Sequence, residues 1–252
     1  MDPVSTKRKS PVSNNIELLE YMTANEMPIG ITEISNLLGI SRSTAYSLAK
    51  ELEDREYILK LPNKKYTLTS KMYQLGTTYT NRYPIIRLIK NSNYSFLQGI
   101  AESVRLTILS GYSKAVILFN YSIDNDLDQT PPGYTIPLNT SACGKVLIAY
   151  ALEPIREKFF ENFPGKAYTE KSITSVEEYK KELDLLLEQK YAVDDEEYAV
   201  DQVCFAVPIK LSAITNEIGA LSITGRKSRM MEGKEKVLRN LNVLVEMLSI
   251  NQ

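Results

Sequence analysis

Between residues 31 and 55 two short apolar-periodic segments meet at Gly39, and this spacing restricts the fold more than any other feature of the 252-residue chain. A hydroxyl residue able to cap a helix stands near the head of each segment, Thr32 for the first and Ser41 for the second. In the second segment Ala45, Leu48, Ala49 and Leu52 recur at i, i+3, i+4 and i+7, so they form one buried stripe. Arg42, Ser43, Tyr46, Ser47 and Lys50 then face outward, and the pair of segments reads as a helix-turn-helix. A helix predicted over 13–24, with Ile16, Leu19 and Met22 on one side, supplies a third helix. Residues 57–61 and 66–69 read as a β-hairpin with Pro62, Asn63, Lys64 and Lys65 at its tip. Three helices and a hairpin with a basic tip make a winged helix-turn-helix, which places the second motif helix in a major groove and Lys64 and Lys65 near phosphates. The same module also docks proteins, and the residues of this segment leave both uses open.

The rest of the chain divides around this module. Residues 1–12 read as a disordered basic arm carrying Lys7, Arg8 and Lys9, either a solvated terminus or a tail on the DNA backbone. Residues 13–70 form the winged domain and residues 71–82 a linker helix with Met72, Leu75 and Tyr79 on one face. Residues 83–252 form a second domain. It is expected to open with a long helix from Pro84, burying Ile85, Leu88, Ile89, Phe96, Leu97 and Ile100. Strands follow over 104–110, 115–121 and 134–138, then helices over 140–152, 153–162 and 175–190, the last with Tyr179, Leu183, Leu186 and Leu187 inward. Two strands over 203–210 and 217–224 are joined at Thr215-Asn216. A helix over 231–249 closes the chain with Val237, Leu241, Leu244, Val245 and Leu248. Without a βαβ rhythm this is an α+β domain with an antiparallel sheet.

Composition narrows the chemistry. The chain has no histidine and only two cysteines, which removes the commonest general base and zinc ligand and any disulfide framework. No catalytic set, metal or cofactor is expected. Residues 1–90 carry 13 Lys and Arg against 9 Asp and Glu, whereas residues 91–252 carry 17 against 22. A basic head on an acidic body suits a first domain that meets phosphates and a second that does not. No apolar run approaches the ~20 residues of a membrane span and no apolar segment follows the basic N-terminus, so a cytoplasmic protein without membrane contact is expected.

Several stretches of the second domain invite chemistry. At the junction Thr140–Lys145 a helix start offers free N–H groups, and small side chains at Ala142 and Gly144 would let a carboxylate approach them. The alternative is a tight turn with small residues chosen for packing. Cys143 at that helix start is either a thiol of lowered pKa or a small buried residue, and Cys204 in an apolar strand more plainly the latter. Were the two to meet, a disulfide switch would be possible. Of the acidic run Asp194 to Glu197, Asp194 and Glu196 share one face of an extended segment, and Asp194 is the member expected to turn inward. Ser222 and Thr224, two apart on a strand, share a face and either donate to a ligand or satisfy backbone. On the DNA side Arg42 is the base-reading candidate through guanine. Ser43, Thr44, Tyr46 and Ser47 suit base or phosphate contacts and Lys50 suits phosphate.

Three stretches carry a resemblance to a known family. They are Gly39-Ile40-Ser41-Arg42-Ser43-Thr44-Ala45-Tyr46, the run from Ile136 to Ala149 around Asn139-Thr140-Ser141-Ala142-Cys143-Gly144-Lys145, and Tyr191 to Ile209 followed by Gly219 to Gly225. The chain resembles the IclR-type transcription regulators over nearly its whole length after the first dozen residues. The resemblance implies a winged helix joined by a linker helix to a GAF-like effector domain, working as a homodimer or a dimer of dimers on double-stranded operator DNA. It implies a small-molecule effector, often a carboxylate, touching Ala142, Cys143, Asp194, Cys204, Ser222 and Thr224. The alternative from a different class is a cysteine-dependent enzyme using Cys143, with the winged helix as a protein-docking module.

Overall fold

The computed structural model describes residues 10–123, 130–211 and 217–250; the expected arm over 1–9 and the turn at Thr215-Asn216 lie outside them. Its contacts divide the chain into two compact units at Tyr79/Thr80.

In the first unit, α1 (Pro11–Ala24) starts two residues earlier than its periodicity suggests, because Pro11 suits the first helical position and Ser10 Oγ accepts from Ser13 N. It buries Asn14, Leu18 and Met22 and leaves Ile16 exposed and Leu19 half-buried. The helix carries two overlapping apolar stripes, and packing on the next two helices selects the one through Leu18. Thr32 does not cap α2 (Ile31–Leu38). Gly30 does, and the Glu33 carboxylate reaches back to accept its N–H. The helix stops at Gly39, whose φ of 64° is the left-handed conformation that costs glycine least. In α3 (Arg42–Asp54), Ser41 Oγ accepts from Thr44 N at the cap, and the buried residues are Ala45, Leu48, Ala49 and Leu52, as the spacing requires. Strands β1 (Ile58–Lys60) and β2 (Tyr66–Leu68) pair antiparallel, with Ile58 and Tyr66 buried among Leu18, Ile34 and Leu48. Helix α4 (Lys71–Thr80) follows, and none of its residues is buried.

In the second unit the long helix expected from Pro84 is broken. Helix α5 (Pro84–Lys90) ends before the polar run Asn91-Ser92-Asn93, where Ser92 Oγ donates to Leu88 O and Asn93 Oδ1 accepts from Ser95 N. These local bonds compete with helix continuation, and a single 3₁₀ turn over Ser95–Leu97 resumes the path. Six antiparallel strands form the sheet: β3 (Ser103–Ser110), β4 (Lys114–Ser122), β5 (Thr135–Ile136), β6 (Ala192–Asp195), β7 (Gln202–Lys210) and β8 (Ile218–Arg226). Their order is β5-β4-β3-β8-β7-β6. One face is apolar: Val104, Leu106, Phe205, Val207, Leu221 and Ile223 pack with Ile85 and Ile89 of α5 and with Val237, Leu241, Leu244 and Leu248 of α10 (Lys234–Ile250). Val245 of α10 is only partly buried. A short α9 (Lys227–Glu232), which periodicity does not separate from α10, precedes it and buries Met230.

The other face is covered by α6 (Ala142–Ala149) and α8 (Val176–Gln189), with α7 (Glu153–Glu161) packed on α6. On α8 the inner residues are Tyr179, Leu183 and Leu186, while Leu187 is exposed, since a stripe through 179, 183 and 186 turns 187 past the edge of the contact. Every side chain of α6 is buried. A Cβ on Gly144 would stand 2.3 Å from Leu138 O, so glycine serves the close approach of that backbone rather than of a ligand. Tyr179 OH donates to Leu138 O at 2.8 Å, and Asn139 Nδ2 donates to Lys166 O and Ile173 O. Lys145, fully buried, donates to Glu197 Oε1 at 2.6 Å, Glu182 Oε2 at 3.0 Å and Val193 O at 2.8 Å. One ammonium thus ties α6 to α8 and β6.

Gly144→Ala should destabilise the protein by at least about 2 kcal/mol in urea unfolding, because backbone atoms on both sides must separate. Lys145→Met should cost about 3–5 kcal/mol by leaving Glu197 buried without its partner. Adding Glu197→Gln to that variant should recover part of the loss. A double variant as unstable as the sum of the two singles would show that the pair is uncoupled.

Candidate functional site

On α3 the side chains of Arg42, Ser43, Thr44, Tyr46, Ser47 and Lys50 are all exposed, with the apolar stripe behind them. Their hydrogen-bonding capacity is unequal. Ser41 Oγ lies 2.8 Å from Ser43 Oγ and 2.9 Å from Thr44 Oγ1, and Ser47 Oγ donates to Ser43 O at 3.1 Å. These three hydroxyls serve the helix start, so Arg42 and Tyr46 carry most of the outward capacity. Lys50 pairs with Asp54 at 2.7 Å, and Lys65 on the hairpin with Glu33 at 3.2 Å. Exposed pairs of this kind contribute ~0–1 kcal/mol and exchange readily for phosphate. Lys64, at the tip, holds the left-handed φ of 64° that closes the hairpin, and its side chain is exposed.

The second site lies on the sheet face beneath α6. Strand register sets Asp194, Cys204, Thr224 and Ser103 side by side across β6, β7, β8 and β3. The adjoining row is Ala206, Ser222 and Arg105, and the next is Pro208, Ala220 and Thr107. Cys143, at the second position of α6, and Ala142 pack into the same cluster as Cys204, Ala206 and Ala220. Five of the six expected residues therefore converge, and Ala142 stands beside them at the helix start. The residues missed from sequence are Arg105 and Thr107. Their signal is the alternation Ser103, Arg105, Thr107 against Val104, Leu106, Ile108, which on a strand buried on both faces marks a polar interior.

This interior is incompletely bonded. Thr107 Oγ1, Thr140 Oγ1, Ser222 Oγ and Thr224 Oγ1 are buried and make no hydrogen bond among the described residues. Three of them lie beside thiols: Thr107 and Ser222 by Cys143, and Thr224 by Cys204. Thiols are weak partners. The two cysteines are free and adjoin one another. The Cys143 thiol is lowered to about 6 by the Cys204 thiol beside it, by the Ser222 and Thr107 hydroxyls and by the Arg105 charge, while Cys204 is pushed up by Cys143 and by burial.

The acidic run departs from simple alternation. Glu196 has a φ of 64°, so the chain turns there and Glu197, not Glu196, follows Asp194 inward. Asp195 and Glu196 instead pair with Lys171 and Lys227 outside. Asp194 Oδ1 accepts from Glu197 N at 2.8 Å and Tyr198 N at 3.3 Å. Burial nevertheless pushes the Asp194 carboxyl up to about 7, against the pull of those N–H groups and of Lys145. A carboxyl raised in the folded state holds its proton longer folded than unfolded. It therefore lowers stability progressively as pH rises from about 4 to about 7, with no further change above. Asp194→Asn should accordingly gain stability relative to the parent protein across that interval in pH-dependent urea unfolding, and a constant difference would contradict the burial argument.

With this geometry in hand, comparison with known proteins is direct. The family model described as "Bacterial transcriptional regulator IclR C-terminal" matches residues 77–249, and the "IclR helix-turn-helix domain" matches residues 11–62. The HTH-type transcriptional regulator KdgR of Escherichia coli K12 is 29% identical over 209 residues, covering 81% of this chain and 78% of that protein. XynR of the same organism is 29% identical over 220 residues, 87% of each. The crystal structure of an IclR homolog complexed with 4-hydroxybenzoate from Microbacterium hydrocarbonoxydans shares the fold, with a TM-score of 0.77 at 18% identity over 96% of this chain and 100% of that one. The winged module and the polar-faced sheet domain are thus the two parts of one known arrangement, and the chain belongs to the IclR family of transcriptional regulators, with a DNA-binding helix-turn-helix ahead of an effector-binding domain.

Proposed function

We propose that the chain acts as a homodimer or dimer of dimers on a palindromic operator, that α3 enters the major groove with Arg42 and Tyr46 foremost, and that a small carboxylate held beneath α6 shifts the balance between binding and non-binding arrangements of the heads. The observation that carries the effector half is the group of buried hydroxyls on this face, three of which lie beside thiols, which are weak partners. Polar atoms in such a place are ordinarily satisfied, and a ligand that enters supplies the missing partners. The exposed face of α3, with Lys64 on the hairpin tip, supports the DNA half. None of the described helices is long and apolar enough to cross a membrane, and a cytoplasmic location agrees with operator binding. The 4-hydroxybenzoate complex of the Microbacterium homolog supports an organic acid as the kind of effector.

Footprinting on the DNA upstream of the protein's own gene, at several salt concentrations, tests the reading. Sequence-selective protection that weakens steeply with salt is expected, and its absence would sink the assignment. Arg42→Ala should cost about 1–3 kcal/mol on the specific site and relax selectivity at one base step, whereas Lys64→Ala should weaken all sequences alike and reduce the salt slope by about one.

A further inference from the structure

The chain has two cysteines, and they stand on different elements, Cys143 in the first turn of α6 and Cys204 on β7 between Asp194 of β6 and Thr224 of β8. Packing of α6 on the sheet brings them into one buried cluster with Ala142, Ala206 and Ala220. Both are free, and they adjoin one another. Two unlinked thiols side by side are the reduced half of a disulfide couple. The two are not equivalent. Cys143 lies where backbone N–H groups have no helical partner and the positive end of the helix favours a thiolate. The Ser222 and Thr107 hydroxyls beside it act in the same sense, whereas burial and the neighbouring Asp194 hold the proton on Cys204.

We infer that Cys143 and Cys204 form a reversible disulfide within the chain when a small uncharged peroxide reaches them, Cys143 attacking the peroxide and Cys204 resolving the product. In the first step the Cys143 thiolate attacks one oxygen of hydrogen peroxide. The S–O bond forms, the O–O bond breaks, and the departing hydroxide takes up a proton, leaving a sulfenic acid and water. In the second, Cys204 sulfur attacks Cys143 sulfur. The S–S bond forms, the S–O bond breaks, and the hydroxide leaves as water with the Cys204 proton. Two thiols are thereby oxidised by two electrons and one peroxide is reduced to two waters. Burial selects the oxidant: Cys143 is 2% exposed and Cys204 7%, so bulky disulfides such as oxidised glutathione are kept from either sulfur. The new bond ties the start of α6 to β7, which in the reduced protein are joined by packing alone.

Treatment of the full-length, folded protein with hydrogen peroxide, followed by quenching, unfolding, thiol counting and intact mass, tests this. Both thiols should disappear together and the mass should fall by two hydrogens, with no second chain attached. Dithiothreitol added to the unfolded product should restore both thiols, and oxidised glutathione should leave the folded protein unchanged. The oxidised protein should melt at a higher temperature than the reduced one. In Cys204→Ser, Cys143 should stop at the sulfenic acid and be captured by dimedone. In Cys143→Ser, Cys204 should remain a thiol at the peroxide dose that oxidises the parent. Should either variant fail to fold, peptide mapping of the oxidised parent still decides whether residues 143 and 204 are linked. Thiols that stay free in peroxide, a gain of two oxygens at Cys143 in the parent, or a disulfide between chains would each overturn the inference. Dimedone capture at Cys204 in Cys143→Ser would overturn the order of attack, and oxidation by glutathione disulfide as fast as by peroxide would overturn the choice of oxidant. Neither DNA nor an effector enters these measurements, so their failure bears on the thiol pair and leaves the regulator reading where it stands.

Discussion

The second domain depends on how closely α6 can lie against the strand-to-helix turn that precedes it. Leu138 O would stand 2.3 Å from a Cβ at position 144, so the absence of a side chain there sets the depth at which the helix sits. That depth brings Cys143 against Cys204 and puts Lys145 within reach of Glu197, Glu182 and Val193 O. Both arrangements adjoin one contact: a side chain at position 144 would force the Leu138 backbone and α6 apart.

The sheet then divides its labour by face. On one side, large apolar residues pack against α5 and α10 and supply the burial that drives folding of the domain. On the other, small residues and hydroxyls lie under α6, where burial brings little apolar gain and leaves polar atoms short of partners. An interior of this kind is a poor way to stabilise a fold; on the proposed reading it makes occupancy matter, since a molecule bound there would complete bonds that the protein alone leaves open. The buried carboxyls of Asp194 and Glu197 have the same character: desolvation opposes the charge on each and pushes both up to about 7, so small changes in what stands beside them alter their protonation.

The DNA-facing unit works on simpler terms. Its core is held by short-range spacing: Ala45, Leu48, Ala49 and Leu52 form a stripe because a helix of 3.6 residues per turn allows no other arrangement. The outward face follows with equal necessity, but its use does not. Ser43, Thr44 and Ser47 spend hydrogen bonds on the helix itself, and Lys50 and Lys65 meet carboxylates nearby. On the proposed reading, the face offered to a groove is therefore narrower than the run of polar residues implies, and centres on Arg42 and Tyr46.

Local chemistry alone determined the parts of this protein that depend on neighbours in the chain. The helix-turn-helix stripe, the hairpin, the strands β3, β7 and β8 and the Ser41 cap are all readable because period and capping act within a few residues. Tertiary structure decided the rest. It chose the Leu18 stripe of α1 over the one through Ile16, made Gly30 with Glu33 the cap in place of Thr32, and turned Glu197 inward at the left-handed Glu196. It also brought Arg105 and Thr107 beside Ser222 and Thr224, more than a hundred positions away along the chain and united with them only by antiparallel pairing of β3 with β8, and laid Cys143 of α6 against them. Register across strands distant in sequence is set by the packing of both sheet faces at once, and no window of the chain contains that information.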